Sequence, residues 1–189
     1  YVDRAIDFME RHRNEAFYLH VFPNDVHDAH VPDEAWLGKY EKYSTHPYVQ
    51  KFYATLDNMD RQFGRLIDSV DEMGLSEKTM IIFTSDNGPT DWPRYYKEGF
   101  TPPGWTGPLY GRKWSLYEGG IRMPFIVRWK GQVPEGKTNE TTIMAAVDLF
   151  PSLHAMAGLE LPSEWDLDGQ DLSKALEGRK MKRKEPVFW

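Results

Sequence analysis

The sequence predicts an α/β fold with a mainly parallel sheet flanked by helices, because segments with strand and helix patterns alternate along the chain. Short apolar runs typical of strands occur at 17–22, 79–85 and 122–129. A long amphipathic pattern at 47–73 separates the first two runs, and a further helix is expected at 142–157. Strands separated by helices favour parallel neighbours, since parallel pairing needs a long crossover connection.

The helices are identified by apolar residues that recur every three or four positions. Residues 1–13 have this spacing and are expected to form a helix. The pattern is strongest at 47–73, where apolar residues follow one face and Gly74 is placed to end the helix. A short helix is also expected at 171–177.

The connecting segments differ in composition. A polar loop is expected at 23–32, and a long loop rich in proline, glycine and aromatic residues at 88–112. Loops of that length inside compact domains are usually functional or mobile, and the second one is expected to line the mouth of a pocket. The basic run 179–184 indicates a solvated surface, and residues 185–189 indicate the beginning of a strand.

Composition narrows the classes of function. The chain has 189 residues, of which 40% are hydrophobic, as expected for a globular domain with a core. Its formal net charge of −6 argues against a nucleic-acid partner, which needs a basic face. No apolar stretch is long enough to cross a membrane. Cysteine is absent, which excludes disulfides, thiolate metal sites and a cysteine nucleophile within these residues.

Asp86 and Asn87 follow the run at 79–85 directly, and Gly88 and Pro89 come next. Ligands of open α/β sheets bind just beyond the carboxyl ends of strands. Adjacent carboxylate and carboxamide oxygens suit a divalent cation such as Ca²⁺ or Mg²⁺. The alternative is that this tetrapeptide is only a turn, since its residues are all common in turns.

Three further groups carry potential chemistry. His27 and His30 lie three residues apart in the polar loop, where they are either ligands or loop histidines held by hydrogen bonds. Lys113 lies between glycines and aromatic residues, where it either presents an ammonium to an anion or is an ordinary surface lysine. Arg122 either binds anions or pairs with Glu118.

Together these groups indicate a site in which a cation, a histidine and a lysine meet an anionic oxygen. A cation and an ammonium stabilise negative charge in a transition state, and a histidine can protonate a leaving alcohol. This chemistry fits hydrolysis of a sulfate or phosphate ester. The sequence lacks the Gly-x-Ser-x-Gly elbow of acyl transfer and any glycine-rich phosphate loop.

These residues stand in motifs that resemble those of the arylsulfatase family, within the alkaline phosphatase superfamily. The motifs are Thr-Ser-Asp-Asn-Gly at 84–88, Gly-Arg-Lys at 111–113 and Tyr-Glu-Gly-Gly-Ile-Arg-Met-Pro at 117–124. The histidine loop at 27–32 and the segment at 148–153 are similar to family elements and occur in the same order. The resemblance covers essentially the whole chain and implies the alkaline-phosphatase-like sulfatase fold.

The resemblance also implies roles for individual residues. Asp86 and Asn87 would be two ligands of a Ca²⁺ ion, or of Mg²⁺ in some relatives. His27 would contact the sulfate ester and protonate the leaving group. Lys113 would bind sulfate oxygens. His30 matches a less uniform position and would either bind the substrate or orient the residues that do.

The chain departs from the family pattern in what it lacks. No Cys/Ser-x-Pro-x-Arg motif, the source of the family's formylglycine nucleophile, occurs in it, and the paired aspartates that complete the metal site are missing. Residues 1–189 are therefore expected to be the second half of a sulfatase catalytic domain, without the nucleophile half and the C-terminal subdomain. The segment 118–124 would act as a brace that aims Lys113. With two protein ligands, the site should bind Ca²⁺ weakly.

Two alternatives to a sulfatase remain at this point. One is a phosphodiester or phosphonate monoester hydrolase of the same superfamily, which would reuse the same residues. The other is a catalytically silent module that binds anionic sugars. Its binding surface would consist of Lys113, Arg94, Trp92, Tyr95, Tyr96 and Trp105.

The resemblance also carries expectations about partners and location. The expected partner is a sulfated small molecule or carbohydrate, and the remainder of the same polypeptide would be needed for activity. The expected location is periplasmic, secreted or lysosomal.

Overall fold

The computed structural model describes residues 1–188. The chain forms two compact units. The first contains Tyr1–Ser76 and Ser85–Pro124, and the second contains Glu77–Thr84 and the residues from Phe125 onward. No helix in the described part of the chain has both the length and the apolar character needed to cross a membrane.

The first unit is built on two helices that pack against each other, α1 (Val2–His12) and α3 (Pro47–Glu72). Both were predicted by helical periodicity, and both are confirmed. Their apolar faces supply the core, which is why the charged residues of each lie on the opposite side. Gly74 ends α3 with a φ of 70°, and the N–H of Leu75 donates to the Val70 carbonyl at 3.0 Å.

Short helical segments make up the remainder of the first unit. They are α2 (Glu34–Leu37) followed by a 3₁₀ turn at Gly38–Tyr40, then α4 (Pro93–Lys97) and α5 (Glu118–Ile121). The helix α4 lies within the predicted long loop, and its first residue is a proline, which is favourable at a helix start.

The second unit contains the two strands, β1 (Ile81–Thr84) and β2 (Phe125–Arg128). Both strands were predicted, with somewhat wider limits. They pair antiparallel, with Ile81 opposite Arg128 and Thr84 opposite Phe125. The mainly parallel sheet is thus not seen in the described residues, where this antiparallel pair is the sheet.

Helices α6 (Leu149–Met156) and α7 (Ser173–Leu176) pack together in the second unit. The predicted helix at 142–157 begins later than expected, since a 3₁₀ turn at Ala146–Asp148 leads into α6. Asp148, the last residue of this turn, is completely buried.

Arg183 binds the buried Asp148 carboxylate through Nη2 at 2.9 Å and Nε at 3.1 Å. The N–H groups of Ala145 and Gln170 also donate to it, each at 2.8 Å. Burial alone would raise the pKa of Asp148, but these hydrogen bonds hold it below its ordinary value. Arg183 is therefore not part of a solvated basic surface, as the run at 179–184 had suggested.

Two predicted strands are not confirmed. Residues 17–22 alternate in exposure as a strand does, and the rings of His20 and Phe22 lie on one side with centroids 3.8 Å apart. The strand prediction is nevertheless wrong, because no neighbouring segment among residues 1–188 supplies the hydrogen-bond ladder that defines a strand. Residues 185–188 are also irregular, and Trp189 lies outside the described residues.

Candidate active site

The Asp86–Asn87 turn lies against the backbone of α5. The N–H of Gly88 donates to the Gly120 carbonyl at 2.9 Å, and the Ser85 hydroxyl donates to the Asn87 carbonyl at 3.2 Å. A Cβ atom on Gly88 would lie 2.0 Å from the Gly119 carbonyl oxygen, so only glycine allows this approach. The Asp86 side chain is exposed and that of Asn87 is half-buried.

Lys113 lies in a tight turn, Arg112–Ser115, which we name the lysine turn. The N–H of Ser115 donates to the Arg112 carbonyl at 3.0 Å, and Trp114, the third residue of the turn, has a φ of 73°. The N–H of Lys113 donates to the Pro89 carbonyl at 3.0 Å. The lysine turn is thereby fixed beside the Asp86–Asn87 turn.

The Arg112 guanidinium holds the segment that leads to the lysine turn. It is mostly buried and donates to the carbonyls of Thr90 at 2.8 Å and Gly104 at 3.1 Å. Its Nη2 also donates to the carbonyls of Pro102 at 3.1 Å and Pro103 at 3.0 Å. Sequence reasoning assigned Arg112 no role of its own. The available signal was the Pro-Pro pair, which lacks N–H donors and leaves the loop carbonyls in need of an outside donor.

The segment 118–124 does contact the lysine turn through its glycines. The N–H of Gly119 donates to the Tyr110 carbonyl at 2.7 Å, and a Cβ on Gly119 would lie 2.1 Å from the Gly111 carbonyl oxygen. A Cβ on Gly120 would lie 2.4 Å from the Ser115 carbonyl oxygen. Backbone therefore packs directly on backbone here, which supports the predicted bracing of Lys113.

Arg122 pairs with Glu118 at 3.3 Å, one helical turn away. The pairing alternative from the sequence is therefore confirmed. Both side chains are largely exposed, so the pair contributes little to stability. The Arg122 guanidinium is thus paired with the Glu118 carboxylate of α5.

His27 ends a second tight turn, Asn24–His27, which we name the histidine turn. The N–H of His27 donates to the Asn24 carbonyl at 3.2 Å, and Val26, the third residue, has a φ of 64°. Nδ1 of His27 lies 2.7 Å from the Asp28 carbonyl oxygen. Since a carbonyl only accepts, Nδ1 carries a hydrogen and donates it to this oxygen.

Asp28 anchors the histidine loop to α4. Its side chain is 6% exposed and accepts a hydrogen bond from Nη2 of Arg94 at 2.9 Å. Nδ1 of His30 lies 3.9 Å from the same carboxylate. The pKa of Tyr95 is raised to about 12, first by burial and then by the Asp28 carboxylate. Asp28 was not among the residues predicted to matter, and its position beside His27 was the available signal.

His30 faces the interior of this loop. Its buried Nε2 lies 3.1 Å from the Val26 carbonyl oxygen, and its ring meets the edge of Phe52 at a centroid distance of 5.4 Å. This geometry favours an orienting role over direct contact with a substrate.

The proposed sugar-binding surface is only partly available. Tyr95 is completely buried, and Arg94 is engaged by Asp28 and by the ring of Trp92, with 4.8 Å from the guanidinium carbon to the ring centroid. The large exposed rings of that predicted set are Trp92, Tyr96 and Trp105. Tyr95 and Arg94 therefore belong to the scaffold of the loop.

Hydrogen bonds join the Asp86–Asn87 turn and the lysine turn directly. The histidine turn is linked to the loop 88–112 indirectly. Asp28, the residue after the turn, accepts a hydrogen bond from Arg94 of that loop. Within residues 1–188, no group of three or more histidine, aspartate or glutamate side chains could hold a metal ion. Asp86 and Asn87 supply two hard oxygen donors, which fit Ca²⁺ or Mg²⁺ in chemistry but not in number.

The known proteins most similar to this chain include sulfatases. The sulfatase family model matches residues 1–159. Steryl-sulfatase of Mus musculus is 34% identical over 93% of this chain and 27% of its own length. N-acetylgalactosamine-6-O-sulfatase of Bacteroides thetaiotaomicron is 31% identical over 98% of this chain and 35% of its own length.

The crystal structure of PsFucS1 sulfatase from Pseudoalteromonas sp. superposes with a TM-score of 0.74. It is 29% identical, over 93% of this chain and 33% of that one. The chain thus spans about a third of the length of the relatives it matches. The chain accordingly has the sulfatase fold and belongs to the sulfatase family.

Proposed function

We propose that this chain is the part of a sulfate monoester hydrolase that binds the sulfate group and assists departure of the alcohol. One observation carries the proposal. Asp86, Asn87 and Lys113 lie on directly linked turns, yet their side chains make no hydrogen bond or ion pair with the described part of the chain. The neighbouring cations Arg94 and Arg112 are both engaged. Lys113 is therefore the ammonium available to an anionic substrate, and Asp86 and Asn87 are the oxygen donors available to a divalent cation.

Lys113 would bind the sulfate oxygens. Its backbone is fixed by Pro89 and by the closing bond of the lysine turn, so the ammonium is presented from a rigid support. A fixed cation stabilises charge in a transition state without reorganising.

His27 would protonate the leaving alcohol. Its Nδ1 is held by the Asp28 carbonyl, which leaves Nε2 as the atom that delivers a proton to the alcohol oxygen. His30 would orient this loop through the Val26 carbonyl. Substrate contact by His30 is not required in this arrangement.

Asp86 and Asn87 would be two of the ligands of a divalent cation. When bound, such an ion would neutralise charge on the sulfate. The nucleophile would come from a formylglycine elsewhere in the polypeptide, since no Cys/Ser-x-Pro-x-Arg pattern occurs in these 189 residues. On this view the 189 residues alone have no sulfatase activity and bind Ca²⁺ weakly.

The remaining parts of the proposal follow from membership of the family. We infer that β1 and β2 belong to a larger, mainly parallel sheet completed by the rest of the catalytic domain. The substrate would be a sulfated small molecule or carbohydrate, and the location periplasmic, secreted or lysosomal.

The test uses the full-length protein with a chromogenic aryl sulfate and a set of carbohydrate sulfates. Lys113→Ala should lower kcat/KM by about 10²- to 10³-fold, because it removes a fixed cation. His27→Ala should lower it by about 10²- to 10⁴-fold, with the larger loss on poor leaving groups that need a proton most. Lys97→Ala and His20→Ala change exposed side chains outside the two turns and serve as controls.

Wild-type kcat/KM in both site variants would contradict the assignment. Turnover of a phosphodiester faster than a sulfate monoester would move the protein to the phosphodiester hydrolases of the same superfamily.

A further inference from the structure

Trp114 occupies a backbone conformation that suits glycine. It is the third residue of the lysine turn and has a φ of 73°. Turns with the closing bond from Ser115 to Arg112 and a positive φ at this position usually carry glycine or asparagine there. A side chain with a Cβ is strained in this region, and tryptophan gains no local hydrogen bond that would offset the strain.

The surroundings impose this conformation on Trp114. The Lys113 N–H is held by Pro89, and the Ser115 hydroxyl donates to the Arg112 carbonyl at 2.7 Å. Gly120 packs against the same turn. The turn is thus fixed by its neighbours on both sides.

The indole contributes little to folding. The residue is 69% exposed, so most of its apolar surface stays in water. A strained backbone and an exposed large ring beside a proposed catalytic residue point to a role in function, since such strain is retained at active sites and ligand clamps. The indole directly follows Lys113 in the chain.

We propose that Trp114 is a specificity-determining residue whose indole stacks on the ring of the alcohol that carries the sulfate. This inference rests on the proposed function, in which Lys113 binds the sulfate. The substrate feature is a flat ring face, either an aromatic ring or the C–H face of a sugar. Such a face stacks on an aromatic side chain, whereas an open alkyl chain presents no flat surface.

The experiment compares the full-length protein with Trp114→Gly and Trp114→Phe. The ligands are an aryl sulfate, a hexose sulfate and a short-chain alkyl sulfate, each used as substrate or competitive inhibitor. Trp114→Gly should raise KM for ring sulfates about three- to tenfold, the size of one lost stacking contact, with kcat nearly unchanged. The alkyl sulfate should bind equally to both proteins, and Trp114→Phe should retain most of the affinity for rings.

Stability supplies a readout that does not depend on activity. Trp114→Gly should have a Tm equal to or above that of the parent, because glycine adopts positive φ without strain. Tyr43→Ala is the matched control, since Tyr43 is a 63% exposed ring in the same unit, lies outside both turns and the loop 88–112, and should leave KM and Tm unchanged.

An unchanged KM for ring sulfates in Trp114→Gly would overturn the inference. An equal rise for ring and alkyl sulfates would also overturn it, since that result would mean only that Lys113 had moved. A clear fall in Tm would show that the indole packs within the folded protein, with the same consequence. If the parent hydrolyses no sulfate ester, the proposed function itself fails.

Discussion

The histidine turn and the lysine turn have the same construction but use it differently. Each is closed by a hydrogen bond from its fourth residue to its first, and each has a positive φ at its third residue. Val26 and Trp114 are the non-glycine residues with positive φ in the described part of the chain. In the histidine turn the carbonyl of the strained residue faces inward to His30, whereas in the lysine turn its side chain faces solvent. Backbone strain therefore orients a group in one case and displays a group in the other.

The two turns are also supported differently. The histidine turn depends on side chains, chiefly the Asp28–Arg94 pair and His30. The lysine turn depends on backbone packing at Gly119 and on the carbonyls held by Arg112. Substitutions near the lysine turn should therefore cause large losses in the free energy of unfolding, whereas substitutions near the histidine turn should cause smaller losses.

The largest effect is expected from Gly119→Ala. Its Cβ would lie 2.1 Å from the Gly111 carbonyl oxygen, and backbone cannot move aside as a side chain can. We expect a loss of about 3 kcal/mol or more in the free energy of unfolding, together with loss of kcat/KM. Urea denaturation of the full-length protein measures the first quantity. Gly38→Ala gives a comparison at a glycine of the same unit that has open space around it and a negative φ, and equal losses in both variants would refute the backbone-packing explanation.

Arg112→Met should have the next largest effect. The substitution keeps most of the buried stem but removes the donors to four loop carbonyls. A buried carbonyl without a donor costs about 1–3 kcal/mol, and partial access of water reduces the sum. We expect about 2–4 kcal/mol of lost stability and faster proteolysis within 88–112. Arg122→Met removes an exposed arginine ten residues away and should change neither quantity, so similar cleavage of both variants would count against this role.

Arg94→Met tests the histidine turn. It leaves the nearly buried Asp28 carboxylate without its cation, but Arg94 is 37% exposed, so the loss is smaller than for a fully buried pair. We expect about 1–3 kcal/mol of lost stability and a fall in kcat of about tenfold as His27 loses its fixed position. A second substitution, Asp28→Asn in the Arg94→Met background, should recover stability, because no uncompensated charge remains. Failure of this recovery would contradict the charge explanation.

The smallest effect is expected from Val26→Gly. Glycine relieves the cost of about 1–2 kcal/mol for a left-handed residue but adds about 0.4–1 kcal/mol of unfolded-chain entropy. The net result should be a gain of about 0.5–1 kcal/mol, measured as a higher Tm. If kcat also stays unchanged, the strain at Val26 has no part in orienting the histidine loop, and the difference drawn between the two turns is not supported.

Local patterns predicted the elements whose causes are local. The apolar periodicity that predicts α3 lies within the helix itself, and Gly74, which ends the helix, lies close to its last residue in the sequence. The strand at 17–22 failed for the opposite reason. Its alternation is local, but a strand exists only when another segment pairs with it.

The site follows the same division. The Asp86–Asn87 turn was predictable because its residues favour turns on their own. The conformation of Trp114 was not, since turn preferences place glycine there and only the contacts around the turn impose it.

The Asp148–Arg183 pair joins residues 35 positions apart, so no local pattern signals it.

The hydrogen bonds of Arg112 have a consequence for how this loop can change over evolution. They end on main-chain carbonyls, which every amino acid carries in the same place. Exposed side chains of this loop, such as those of Trp92 and Tyr96, can therefore vary without releasing the lysine turn, provided the path of the backbone is kept. The surface of this loop can then change in shape and charge while the position of Lys113 is kept.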